Sequence, residues 1–512
     1  MTIHLSIVLW LPLAAGLVAL VMPRALARWV MLLGALLTLA YAIVIAADYD
    51  TAQRGLQYVT DEVWIKTLGI HYKLGVSGLN VILLLTTASL FAGAALWAAL
   101  RDEPAERPGL YALLMGLAQS GVMGAFLAQD LALFVIFFDV MLVPFYFLTL
   151  VWGTDPEKRG PAVLKLFIYT LVGSLLMLVG AIATGVLAGE GPGGITFVLS
   201  DLRANIVSSG SQDWIFLVFA LAFLIKMPSF PFHGWMPDGY TQMPIAPLAV
   251  FTAILSKVAA YGFLQIALPL FPHAAVKYQE LLLLVALASI LYGSAMAFTS
   301  TQARLVLGYS SVAQLGFIVL GIFSLDARGG DGALLQSVNH AIVAGPLIFV
   351  VALLAARSGG SEDLRDMGGI ATKAPAFAAI FLVFTFALLA MPGTSNFVGE
   401  FMILLGVFQA KTALAIIASV GVAMAAVYAL RLYIRAMHNR VGPLVQAREL
   451  TLRDGLVLVP LLLAVVALAL YPQFALKRGE HAVAGSLAAA KVSRQQGQHA
   501  VAERPATEDG TP

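Results

Sequence analysis

Runs of about twenty apolar residues follow one another along nearly the whole chain, and no other feature restricts its fold as strongly. A helix needs roughly 20 mostly apolar residues to cross a bilayer. About fourteen such runs are read, the first seven near 3–22, 27–47, 74–100, 109–128, 130–152, 162–188 and 213–235. The rest lie near 241–269, 279–300, 304–325, 333–356, 375–409 (interrupted), 412–437 and 454–473. Composition closes the alternative of a soluble fold. Of the 512 residues 60% are hydrophobic and 11% charged, where an ordinary soluble domain carries about 25% charged residues. A soluble chain of this kind would have to expose large apolar patches, which aggregate.

The absence of cysteine excludes thiolate-held iron–sulfur clusters, Cys-ligated zinc, disulfides and cysteine nucleophiles. The run Met1–Met22 contains Pro12 and a single titratable side chain, His4, with no basic segment before it. It reads as a first span that is retained rather than a signal peptide. Residues from Lys477 onward are polar and rich in Ala, Gln, Glu and Pro, and are expected to form a flexible tail over 477–512. Lys and Arg in short loops set orientation. With the N-terminus outside, Arg24, Arg28, Arg101, Arg107, Lys158 and Arg159 fall inside, as do the arginines between 431 and 453. The bias is about two to one, so both termini are expected on the outer side.

A charged group at mid-bilayer costs at least about 2.5–3.5 kcal/mol, so each one asks for a reason. Asp139 (FVIFFDVMLVPF), Lys226 (LAFLIKMPSFPF), Lys257 (FTAILSKVAAYG) and Glu400 (SNFVGEFMILLG) stand inside apolar runs, and His340 (SVNHAIVAG) is a fifth titratable group. Asp130 and Asp238 read as interfacial residues at span ends. Structural ion pairs or snorkelling lysines would account for one such residue. Two acids and two lysines together suit a proton relay, because desolvation and nearby charge move buried carboxylates and amines between protonation states. Two spans are also broken. Pro228 and Pro231 follow Lys226, and Met391-Pro392-Gly393-Thr394 precedes Glu400. A freed carbonyl is tolerated in a membrane only where protein or water satisfies it. Breaks at matching places in two halves mark inverted-repeat transporters. The organisation expected is helices 1–3 over 1–108, one repeat (spans 4–8) over 109–270, a second (spans 9–13) over 271–440, and span 14 over 441–476.

The strings FFDVMLVPFYFLTLVWG, AFLIKMPSFPFHGWMPDGYTQMP, ILSKVAAYGFLQ and MPGTSNFVGEFMIL resemble the antiporter-like proton-pumping subunits of respiratory complex I, NADH:quinone oxidoreductase. Over roughly 60–475 the resemblance is to the subunit M (chain 4) family, since sister subunits L and N usually have lysine where Glu400 stands. It implies an all-α membrane fold of fourteen helices with two inverted five-helix repeats, and breaks in spans 7 and 12. Asp139 would take the place of the family's glutamate, Lys226 its lysine partner, Lys257 the central lysine and Glu400 the outward end, with His340 on the same axis. The copy departs from the pattern at Asp139, one methylene shorter, at Gln314, where relatives have histidine, and at Ser77, Gln302 and Leu305.

The resemblance further implies a subunit of a translocase in a bacterial inner membrane, moving protons outward without redox chemistry of its own. NADH, FMN, iron–sulfur clusters and quinone would sit on partner subunits, with no cofactor or metal on this chain. Its partners would be lipid and the other membrane subunits, especially L and N, and no nucleic acid. A cation/proton antiporter subunit, or the membrane module of a hydrogenase-type or carbon-uptake complex, would use the same residues. Gly191-Pro-Gly-Gly and Gly329-Gly read as loop turns, without a Walker or dinucleotide fingerprint, and His233 has no second histidine at ligand spacing.

Overall fold

A computed structural model describes residues 3–189 and 194–502; most of the expected Gly-rich turn, 191–193, and the last ten residues of the expected tail lie outside the described residues. In hydrocarbon every backbone N–H and C=O must find its partner within the protein, which favours helices. Among the described residues twelve helices are long and apolar enough to cross a membrane. The expected spans 3–22 and 375–409 are represented by three shorter apolar helices, Leu5–Val21, Pro375–Leu388 and Ser395–Ala410.

Burial sorts the helices into a centre and a rim. Ile245–Leu270 is buried along its whole apolar window, and Ala303–Phe323 and Ala327–Arg357 nearly so. Thr412–Met437, Leu452–Leu470 and Arg159–Ala188 bury well under half of theirs. The rim turns Leu164, Ile168, Leu175, Val179 and Ile182 outward, which suits lipid or a partner helix. The polar and charged residues collect on the central helices, where packing shields them from lipid.

Several helices are interrupted. Ser209–Lys226 ends at Lys226; a 3-10 turn, Phe232–Trp235, and a helix, Met236–Gln242, follow. Arg304 anchors this broken segment by donating to the carbonyls of Tyr240 at 3.0 Å and Met243 at 2.9 Å, and it pairs with Glu362. The run expected as one span over 130–152 is two helices, Leu131–Val140 and Val143–Trp152, with Pro144 opening the second. Proline there removes a backbone donor and separates the two, leaving Asp139 in the last turn before the break. Within Ile245–Leu270 two π-helical stretches, Phe251–Leu255 and Phe263–Ala267, flank the α-helical turns Ser256–Gly262 that carry Lys257. Such π segments occur often at functional sites.

Three features add to or correct the sequence expectation. Gln57–Ile65 and Ile70–Val76 pair as an antiparallel hairpin, turning at Gly69 with φ +61°; Asp61 lies opposite Lys73 and pairs with it at 2.7 Å. Asp130, read as a span-end residue, stands at the start of the helix Leu131–Val140 and is fully buried in protein. It caps the helix Leu131–Val140 by accepting from Leu133 N and holds the hairpin by accepting from His71 N, both at 3.0 Å. The segment expected as a flexible tail is helical through Gln473–Ala502. Val483, Leu487 and Ala490 recur at helical spacing and are buried, so a narrow apolar stripe docks an otherwise polar helix.

Candidate functional site

The five titratable residues singled out in the sequence lie on five helical segments far apart in the chain. Asp139, partly buried, accepts a hydrogen bond from Ser174 Oγ. Lys226 is buried and does not reach that carboxylate: Nζ donates to Phe138 O at 2.9 Å and lies 4.0 Å from the centre of the Phe138 ring. The expected Asp139–Lys226 pair is therefore open here, with each partner held by other groups.

Lys226 lines a small cavity together with Leu142, Thr170, Trp235, Tyr240 and Ser256, with room for on the order of one water molecule. Ser256 links it to the next station, because Lys257 Nζ donates to Ser256 Oγ at 3.2 Å. The same amine lies 3.4 Å from Thr252 O and 2.8 Å from Nδ1 of His340. Lys257 and His340 are both fully buried. An ammonium donating to Nδ1 leaves the neutral ring's proton on Nε2, and Nε2 is among the buried atoms with no hydrogen-bond partner.

One helical turn from His340, on the same face of Ala327–Arg357, Gln336 continues the row. Its Nε2 donates to Gln314 Oε1 at 2.8 Å and approaches Glu400 Oε1 at 3.4 Å. Asn339 donates to Ser395 O at 2.6 Å. Glu400 is buried, and its second oxygen is unpartnered, as are Tyr428 OH and both side-chain polar atoms of Asn396. Buried polar atoms are nearly always satisfied by protein or water. Their concentration between His340 and Glu400 marks a segment that water would complete.

Glycines make this closeness possible. A Cβ on Gly332 would lie 2.7 Å from Ile403 N, and one on Gly399 would lie 2.5 Å from Gln336 Oε1. The helices Ala327–Arg357 and Ser395–Ala410 thus touch backbone to backbone, bringing Glu400 beside Gln336.

The structure brings Lys257 to His340 directly and Glu400 to the same helix through Gln336. Asp238 stands apart, exposed and paired with Lys165 at 2.8 Å. Sequence reasoning missed Ser174, Ser256, Gln336 and Asn396; for the last three the available signal was a neutral polar residue inside an apolar run, one turn from or next to a titratable one, whereas Ser174 meets Asp139 only through packing. It noticed Gln314 only as a departure, whereas that residue stands beside Gln336 at the Glu400 end of the row.

A family model described as NADH:quinone oxidoreductase/Mrp antiporter, transmembrane, matches residues 128–425. NADH-quinone oxidoreductase subunit M of Rhodobacter capsulatus is 34% identical over 485 residues, covering 91% of this chain and 93% of that protein. The protein of the same name from Escherichia coli K12 is 35% identical, covering 87% and 89%. A chain of the solved respiratory complex I from Thermus thermophilus with bound NADH superposes with a TM-score of 0.85 at 30% identity, covering 96% of this chain and all of that one. A chain of the Mrp complex from Dietzia shares the fold, with a TM-score of 0.84 at 22% identity over 96% and 98% of the two chains.

Proposed function

On the premise that this chain belongs to the NADH:quinone oxidoreductase/Mrp antiporter family of membrane proteins, we propose that it is the M-type proton-translocating subunit of a complex I. Protons would move outward along Asp139, Lys226, Lys257, His340 and Glu400. The observation that carries this reading is the contact series Lys257–His340 and Gln336–Glu400, built on one helix in the buried centre. So many buried polar atoms without a protein partner call for water beside them, because leaving each unsatisfied would cost about 1–3 kcal/mol.

The residues divide the work by position. An opposite charge brought up to a buried amine favours the ammonium form, and withdrawing it frees the proton. Asp139, at a helix break, is placed to move relative to Lys226 and so to load or release it. Water in the cavity beside Ser256 passes the proton to Lys257. His340 takes it at Nδ1 and returns one from Nε2 toward Gln336, Gln314 and Glu400. The glutamines orient water without titrating. Moving one charge against 100 mV costs about 2.3 kcal/mol, so energy must enter from elsewhere. In this reading quinone reduction on partner subunits supplies it, while NADH, FMN, iron–sulfur clusters and quinone stay off this chain. The sister subunits L and N are the neighbours proposed. The arrangement is two inverted five-helix repeats within fourteen spans, in a bacterial inner membrane with both termini outside.

The test is Lys257→Ala in the assembled complex, with quinone reduction and proton transport measured together in vesicles. Loss of most redox-linked pumping is expected. Wild-type protons per electron pair in a complex containing the variant would sink the relay.

A further inference from the structure

A second row of buried polar side chains leaves Lys257 in another direction. Tyr261 and Gln265 follow Lys257 at one and two turns along the same helix, toward the end that carries Leu270. Tyr261 is 1% exposed, its hydroxyl has no hydrogen-bond partner, and the polar groups facing it are Arg203, Gln129 and Asn80. Gln265 Nε2 donates to Gln129 Oε1 at 3.0 Å, while Gln129 Nε2 is itself unpartnered. Asn80 ties the cluster to Phe126 O at 2.7 Å, and the Phe126 ring stands edge-on to Tyr261 with centroids 5.4 Å apart. Arg203 donates to the carbonyl of Gln265 at 2.8 Å.

The row ends in open space. Ser77, Gln265 and Arg203 line a cleft of about 580 Å³, together with Arg54, Arg478 and His481. Ser77 Oγ is also buried and unpartnered. Among the described residues lining the cleft the charged side chains are all basic, and positive charge of this kind disfavours holding a proton there. Glutamine and tyrosine side chains are costly inside a bilayer protein, and nothing in the Asp139–Glu400 row uses these.

We propose that Tyr261, Gln129 and Gln265 form an outward branch of the relay, a hydrated passage from Lys257 to the arginine-lined cleft with Tyr261 as its proton-passing residue. The branch rests on the reading that Lys257 carries protons. Tyr261 takes a proton on its oxygen from the Lys257 side and gives its own hydroxyl proton toward Gln129, so the phenol ends neutral and no net charge stays on it. Its ring, packed on Phe126, closes the passage when no proton is moving.

The chain has no cysteine, so single replacements report access cleanly. In the assembled complex, Ser77→Cys and Gln129→Cys should react with a small, anionic, membrane-impermeant methanethiosulfonate from the face bearing the C-terminal helix, read as a mass increase of this chain. Leu264→Cys, also buried and on the Lys257 helix, should not. Protection of both polar positions to the level of Leu264→Cys overturns the passage. Tyr261→Phe keeps the ring and removes the hydroxyl, and should lower the protons pumped per electron pair while quinone reduction continues. Wild-type stoichiometry in that variant overturns the branch even where labelling succeeds. Lys257→Ala separates the two readings: normal pumping there means the relay has failed, whereas lost pumping beside a normal Tyr261→Phe means only the branch has.

Discussion

Replacing His340 with leucine removes the one tight contact of the central lysine without enlarging the site. Lys257 Nζ has three neighbours within hydrogen-bond range: Thr252 O at 3.4 Å, Ser256 Oγ at 3.2 Å and His340 Nδ1 at 2.8 Å. Only the last is well inside the usual range for a nitrogen donor. A hydrogen bond to a charged group contributes about 1.5–3 kcal/mol. At about 1.36 kcal/mol per tenfold, its loss from the transfer step slows proton movement about 10- to 150-fold. Leucine also cannot take the proton on one nitrogen and release it from the other. The assay is dye-detected proton transport per assembled complex in membrane vesicles, with quinone reduction followed in parallel and the amount of complex read on a native gel. His340→Gln is the companion variant, because the amide can still hold the lysine but cannot titrate; it should assemble normally and pump slowly. If His340→Leu pumps at the wild-type rate from a fully assembled complex, the direct Lys257–His340 transfer is wrong.

Three further outcomes follow from the packing and the charges. Gly332→Ala places a Cβ 2.7 Å from Ile403 N; overpacking of this kind costs about 1–3 kcal/mol, and by parting the two helices it should lower both the melting temperature in detergent and the rate of pumping. Asp454 is buried, pairs with Arg101, lies 3.9 Å from the fully buried Arg357 and closes a capping box with Thr451. Asp454→Ala leaves those charges uncompensated and should cost about 3–5 kcal/mol, measured as loss of folded chain in a thermal or denaturant series. Asp363, in a loop between spans, is held by the Arg365 guanidinium through contacts of 3.0 and 2.6 Å, which keeps its carboxyl below the ordinary value of 3.8. A depressed carboxylate contributes stability above its unfolded value and loses it as pH falls through the folded one. Asp363→Asn should therefore lower stability at neutral pH and flatten its decline below about pH 4; an unchanged acid limb would contradict this.

Much of the architecture was legible because lipid makes local pattern decisive. A run of twenty apolar residues has few options other than a helix when backbone groups have no water to bond, and the runs read from the sequence coincide with helices. The cost of burying charge likewise marked Asp139, Lys226, Lys257, His340 and Glu400 one at a time, with no knowledge of neighbours. The polar tail was misjudged for the converse reason. Its stripe of Val483, Leu487 and Ala490 is too narrow to stand out against many charged and amide side chains, and its helix is held by docking on the helices beside it.

The sequence alone determined the solvent this protein lives in and which ionisable groups must be explained, since both follow from the composition of single segments. Tertiary structure decided who meets whom. Lys257 finds His340 83 positions away, and Gln336 reaches Glu400 only because Gly332 and Gly399 let two helices close to backbone contact. The open Asp139–Lys226 pair, with Ser174 on one partner and Phe138 on the other, is also a product of packing. Contacts between helices depend on crossing geometry and on the small residues at each crossing, and no periodicity within one segment encodes them.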